Sequence, residues 1–227
     1  LSTLEMLVLN ADERDGELYI TEENLAQCIT RKSLLYDKNG EEHYNLISAL
    51  HKSMRNSDPD AAVYWLARML EAGEDPRFIA RRLMISASED IGMAASGVLG
   101  TCVAAAQAVQ LLGMPEARIT LAHATVAAAT APKSNAAYMA LEKAIADVRA
   151  GRGGAVPAHL RDSHYAGAKA LGHGEGYIYP HNLPAGVAAQ QHLPDDLAGA
   201  SYYQPTGHGA EAAISERMAA VRKLLGR

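Results

Sequence analysis

The chain has few cysteines, few large aromatics and no apolar run that approaches the length of a bilayer span; of its 227 residues only 5% are aromatic, with one Trp and one Phe. Each shortage excludes something. A membrane-spanning helix needs about 20 consecutive apolar residues, so no such span is expected. The opening "LSTLEMLVLN" has neither the basic region nor the cleavage site of an export signal, and a soluble, unexported protein is the expectation. Cys28 and Cys102 lie far apart, each in an apolar, helix-like setting, which points to reduced, buried thiols rather than a disulfide. Scarce aromatics beside abundant alanine favour helices packed through small side chains over a β-sandwich. No Gly-Lys pair occurs, which removes the P-loop, where the Lys neutralises a phosphate cradled by backbone amides. The net charge of −5 argues against a surface that is wholly a nucleic-acid platform and leaves room only for a local basic face. An initiator Met is missing too, and the chain opens inside an apolar pattern of Leu1, Leu4, Leu7 and Val8. That start reads as a piece of something longer.

What is present is helical punctuation. Residues 1 to 40 read as a helix end, the polar turn "ADERDGE", a short extended piece, and a helix capped by Thr21 that runs to about Thr30. Tyr44, Ile47, Leu50 and Met54 share helical spacing. Asp58 with Pro59 then supplies a cap followed by Pro at the first helical position, and the helix runs to Gly73. Asp75 with Pro76 repeats the signal, which predicts a helical hairpin. Further helices are expected from about Val98 to Leu112, Pro115 to Thr130 and Asn135 to Ala150. From Gly151 to Ala210 the character changes, with eleven of the nineteen glycines and six of the nine histidines. Irregular, turn-rich chain is expected there. Val156, Leu160, Tyr165, Leu171, Tyr177, Ile178, Tyr179, Leu193, Leu197, Tyr202 and Tyr203 are read as its anchors on the helices.

Chemistry is sparse. "GHGEG" places Tyr177 where a dinucleotide loop needs a third glycine, and no parallel strand precedes it. His159, His164, His173, His181, His192 and His208 are irregularly spaced in loops, unlike the short-spaced pairs that hold a metal, so turn-stabilising roles are expected. The cysteines have no nearby His, and Glu41-Glu42 and Glu89-Asp90 sit at helix ends as capping or solvated charges. No catalytic, cofactor-binding or metal-binding residue is therefore assigned. The remaining candidate is a basic helix face, Arg77, Arg81 and Arg82 with Arg68 in the neighbouring helix, as a DNA or partner contact. Pairing of these arginines with Glu71, Glu74, Glu89 and Asp90 is the simpler alternative.

Longer motifs carry more. "YDKNGEEHYNLISALHKSMRNSDPDAAVYWLARMLEAGEDPRFIARRLMISASEDIGMA" (Tyr36 to Ala94), "GMPEARITLAHATVAAATAPKSNAAYMAL", "VPAHLRDSHY", "GHGEGYIYPHN" and "QQHLPDDLAGASYYQPTGHGAE" closely resemble the C-terminal region of the replication-associated recombination AAA+ ATPases, the RarA/MgsA proteins and their Werner-helicase-interacting relatives. One departure is "AAS" at Ala94 to Ser96, where the family often has a polar turn. The resemblance implies an all-α helical array like the clamp-loader oligomerisation domain, with an irregular Gly/Tyr/His-rich tail. Residues 1 to 30 would end the AAA+ helical lid, and 31 to 227 would form the C-terminal domain, with a core at about 42 to 150, a tail at 151 to 209 and a final helix at 210 to 225. ATP and Mg would belong to the parent protein, whose Walker motifs, arginine finger and sensor residues would precede Leu1. A homotetramer, contacts with DNA and single-stranded DNA-binding protein, action at stalled forks and a cytoplasmic, nucleoid-associated location are implied in the same way.

Overall fold

Capping chemistry sets the helix ends in a computed structural model that describes residues 8, 11–14, 16–25 and 41–226. The fold is all-α. Among the described residues its one sheet is a small antiparallel hairpin, β1 (Asp12–Arg14) with β2 (Glu17–Tyr19), closed at Gly16. Thr21 caps as expected, its hydroxyl accepting from the Asn24 N–H at 3.1 Å. The helix after it is described only to Leu25, and Cys28, the linker to residue 40 and Leu1, Leu4 and Leu7 lie outside the described residues.

Two compact units divide the chain. The first comprises residues 1–87 and 97–131. Its helices are α1 (Glu41–Arg55), α2 (Pro59–Glu71), α3 (Pro76–Ser86), α4 (Gly97–Leu112) and α5 (Ala117–Thr130). Asp58 accepts from the Ala61 N–H at 2.9 Å and Asp75 from the Arg77 N–H at 2.9 Å, each followed by Pro. Helix α2 ends in a Schellman motif: Glu74 N–H donates to the Met69 carbonyl, Gly73 N–H to that of Leu70, and Gly73 takes φ +79°. The expected hairpin of α2 and α3 does not form. Instead α2 packs on α1 and α5, and α3 on α4 and α5, with Ala62, Leu66 and Met69 buried on one and Ile79, Ala80 and Leu83 on the other. Helix α5 packs against all four of the others and buries Ala117, Leu121, Ala124, Ala128 and Ala129. Alanines at that centre let several helices approach closely. In α1 the buried set is Leu46, Ile47, Leu50, His51 and Met54, whereas Tyr44 is 67% exposed. Tyr44 falls at the edge of that arc, and His43 takes the middle against the Phe78 ring. Cys102 is a buried small hydrophobe, as expected, and burial pushes its thiol up to about 11.

The second unit comprises residues 88–96 and 132–227. It contains α6 (Ala136–Arg149), α7 (Glu211–Leu224) and, between them, irregular chain with 3-10 turns at Ala158–Leu160, Lys169–Leu171, Pro180–Asn182 and Asp195–Leu197. The segment at 88–96 is held at two points, where Ser134 N–H donates to the Asp90 carbonyl and Ala210 N–H to that of Ala94, both at 2.8 Å. Ala94, within the departure from the family's usual turn, is buried. Gly209 beside it has φ +52°, and a Cβ there would run into the Ala94 carbonyl and the Pro132 ring. Most of the expected tail anchors are not anchors. Val156, Tyr165, Leu171, Tyr177, Ile178 and Tyr179 are exposed; Leu197 is buried as expected, and the tail also buries Ala168 and Ala188, which were not among the expected anchors. A chain of turns has no repeating face on which to bury large side chains, so polar ties hold it. Gln190 brackets Ile178 by accepting from its N–H and donating to its carbonyl, and the Tyr202 hydroxyl donates to Asp147 on α6.

Candidate functional site

The four arginines do not act alike. Arg68 reaches Glu42 at 3.3 Å and stacks over Trp65, and Arg82 donates to buried His51 at 3.3 Å. Both therefore reach back to α1. Arg77 is clamped by the cap residue of its own helix, with Asp75 accepting from its side chain at 3.0 to 3.2 Å. Arg81 lies over the Phe78 ring on α3 and is exposed. The acids that Arg68 and Arg77 meet are Glu42 and Asp75. Neither was among the carboxylates suspected from the sequence.

Helix α4 has no charged residue in sixteen positions. One side packs Cys102, Ala105 and Val109 into the unit; the other exposes Leu99, Val103 and Leu111, the last 85% exposed, together with the uncharged amides Gln107 and Gln110, and Leu112 is exposed at the helix end. The outer side of α5, packed alongside, adds Ile119 at 66% and Val126. Arg118 and His123 are the titratable groups exposed on α5. Burying exposed apolar side chains of this kind against a partner releases water, and on α4 it would desolvate no charge. The sequence signal was the uncharged stretch itself, which helix assignment alone passed over.

In the second unit the histidines serve singly. His159 Nε2 donates to the Gln191 carbonyl at 2.7 Å, His164 pairs with Asp162, His173 bonds the Tyr165 hydroxyl, and His208 Nδ1 donates to the Lys133 carbonyl at 2.9 Å. Among the described residues no three His, Cys, Asp or Glu side chains converge as metal ligands. In "GHGEGYIYPHN" the three glycines take φ +70° to +81°, and at Gly174 a Cβ would press on Ser163. Glu211 went unnoticed in the sequence. Fully buried at the start of α7, it accepts from the Ser134 hydroxyl (2.8 Å), the Tyr203 hydroxyl (2.8 Å) and both the N–H and hydroxyl of Thr206 (2.6 and 2.7 Å). Burial pushes this carboxyl up, yet the bonds from Thr206, Ser134 and Tyr203 outweigh it and hold Glu211 below the ordinary range. Burial and the same carboxylate push the Tyr203 phenol up to about 12.

"APKSN" and "QPTGHGAE" thus meet at one buried carboxylate. A family model described as the MgsA AAA+ ATPase C terminal matches residues 56–222. The chain belongs to this MgsA C-terminal family. A second model, an AAA C-terminal domain, matches residues 1–55. The chain is 53% identical to an uncharacterized AAA domain-containing protein of Mycobacterium tuberculosis over 99% of its own length and 49% of that protein. It is 46% identical to replication-associated recombination protein A of Bacillus subtilis, over 95% of this chain and 52% of the relative. The same-named Escherichia coli protein is 40% identical over 96% and 49% respectively. The chain spans about half the length of these relatives. Within the MgsA C-terminal fold, the Glu211 knot and the α5 centre account for structure, while the outer side of α4 exposes apolar side chains with no charge among them. No helix among the described residues is long and apolar enough to cross a membrane.

Proposed function

We propose that this chain is the self-association and interaction module of a RarA-like AAA+ ATPase acting in replication-associated recombination and repair. The observation that carries the reading is the uncharged, outward-facing side of α4, continued by Ile119 and Val126 of α5. A second copy is its occupant, in a homotetramer, because a surface with almost no charge suits an equally uncharged one. The parent would bind ATP with Mg through motifs outside this chain, act on DNA at stalled forks with single-stranded DNA-binding protein, and work in the nucleoid-associated cytoplasm. Support comes from the family match and from the names of the relatives, replication-associated recombination protein A among them. Light scattering on the purified chain at high concentration tests the assembly, with a tetramer as the expected mass; a monomer at all concentrations defeats it.

A second reading makes α3 a DNA contact, favoured by exposed Arg81, which meets the Phe78 ring with no carboxylate partner among the described residues. Arg77, Arg82 and Arg68 would contribute from their present ties. Fluorescence anisotropy with forked and single-stranded DNA across salt concentrations separates the two readings. Salt-dependent binding that weakens in Arg81→Gln supports the contact, and its absence removes it.

A further inference from the structure

Two adjoining cavities of about 590 and 380 Å³ open in the second unit and share Arg161 and His159. They fall in the size range of ligand pockets. Arg161 is half-buried between them, and its Nε donates to the Val156 carbonyl at 2.7 Å, which fixes the plane of the guanidinium. Among the described residues no ion pair includes Arg161. A partly desolvated cation without a counter-ion is costly, and its terminal nitrogens form a fork that matches a carboxylate.

Two of the three nearby acids are engaged by other donors. Asp196 accepts from the Gly153 and Gly154 N–H groups at 2.7 and 3.2 Å, and Asp162 from the backbone N–H and ring of His164 at 3.0 and 2.8 Å. Asp195 lines the larger cavity and is exposed. Val156, Pro157 and Pro194 supply apolar wall. One cation among three carboxylates is a poor track for a phosphodiester chain, which needs a run of cations. It suits a single carboxylate presented on an apolar peptide.

We propose that this groove binds a carboxylate-bearing peptide segment, with the terminal nitrogens of Arg161 holding the carboxylate and Val156, Pro157 and Pro194 contacting the flanking side chains. Ligand-observed NMR titration of the whole chain tests it with four probes: a capped pentapeptide carrying one glutamate between valines, its glutamine analogue, the glutamine analogue with a free C-terminus, and inorganic phosphate. Expected is binding of the glutamate or the free-ended peptide, which tells a side-chain carboxylate from a chain terminus, with the capped glutamine peptide weaker. Arg161→Gln should weaken binding by about tenfold or more, with Arg161→Lys in between. Asp195→Asn should tighten it about two- to threefold by removing a like charge, a gain that misfolding cannot mimic and that decides the matter if Arg161→Gln does not fold. The proposal is overturned by a capped glutamine peptide that binds as tightly as both the glutamate and the free-ended peptides, by no peptide binding, by phosphate or a single-stranded oligonucleotide binding more tightly than the peptides, or by unchanged affinity in both the Arg161→Gln and Asp195→Asn variants.

Discussion

Glu211 shows how one side chain can organise an irregular segment. Its four donors come from Ser134 before α6 and from Tyr203 and Thr206 in the last stretch of the tail, so one carboxylate ties chain that no periodicity joins. Glu211→Ala would leave those donors buried without an acceptor, and the expected loss is about 2 to 4 kcal/mol in the second unit, read as faster amide exchange at Ala210 and Ser134. Glu211→Gln, which keeps the shape but not the charge, should lose less. The pH dependence follows from the two shifts. The folded carboxyl sits below its ordinary 4.5, so its contribution is present above that value and is lost as the pH falls through the lower folded value. The Tyr203 phenol sits above its ordinary 10.0, so its contribution is present below 10.0 and is lost as the pH rises towards about 12. Amide protection at Ala210 should thus be flat through neutral pH and fall at both extremes; a loss of protection between pH 6 and 8 would contradict this account.

Helix boundaries in the first unit were legible because they depend on local chemistry. A cap acid, a Pro that has no N–H to satisfy and a Gly that accepts positive φ are each written in a few residues: α2 starts at Pro59 and stops before Gly73, α3 starts at Pro76, and α4 stops at Leu112 before Gly113, whereas the end of α3 at Ser86 carries no such signal. Gly73→Ala should therefore cost about 1 kcal/mol from backbone strain alone, since nothing lies within 4 Å of a Cβ there. Asp58→Ala should cost about 1 kcal/mol by orphaning the Ala61 N–H. Urea unfolding followed at Trp65, which lies on α2 itself, measures both, and stability unchanged in either variant would mean that the cap is not holding the helix. Packing partners were less legible. Two consecutive helices with short punctuation between them look like a hairpin, but α2 packs on α1 and α5 and α3 on α4 and α5, and a face shows in the sequence while its partner does not. The tail failed for a related reason: aromatic residues in turns look like anchors, yet the sites the tail closes over fit Ala168 and Ala188. Arg161 was invisible as a site because it pairs with none of the acids around it, Asp162 and Asp196 being held by other donors, which only three dimensions reveal.

For the whole molecule, the informative contrast is between surfaces that carry charge and one that does not. The chain has 26 acidic and 21 basic side chains, enough to scatter charge over every helix, yet α4 has none and turns Leu99, Val103 and Leu111 outward. Neither the α5 contact nor the buried Cys102 side of α4 requires that outer side, with its exposed Gln107 and Gln110, to be free of charge, so association with another copy is the physical reason offered for it. A single charge placed at its most exposed point is then a selective test. Leu111→Glu removes almost no buried area within the unit, because the side chain is 85% exposed, and should leave helicity and urea stability within about 0.5 kcal/mol of the parent chain. In an assembly the same carboxylate would be desolvated at every copy of the interface, which should raise the dissociation constant by about tenfold or more. Sedimentation velocity across a concentration series reads the shift directly. If Leu111→Glu and a second variant, Val103→Lys, both fold and both associate like the parent chain, the outer side of α4 is not the contact between copies, and assembly must be sought on another surface.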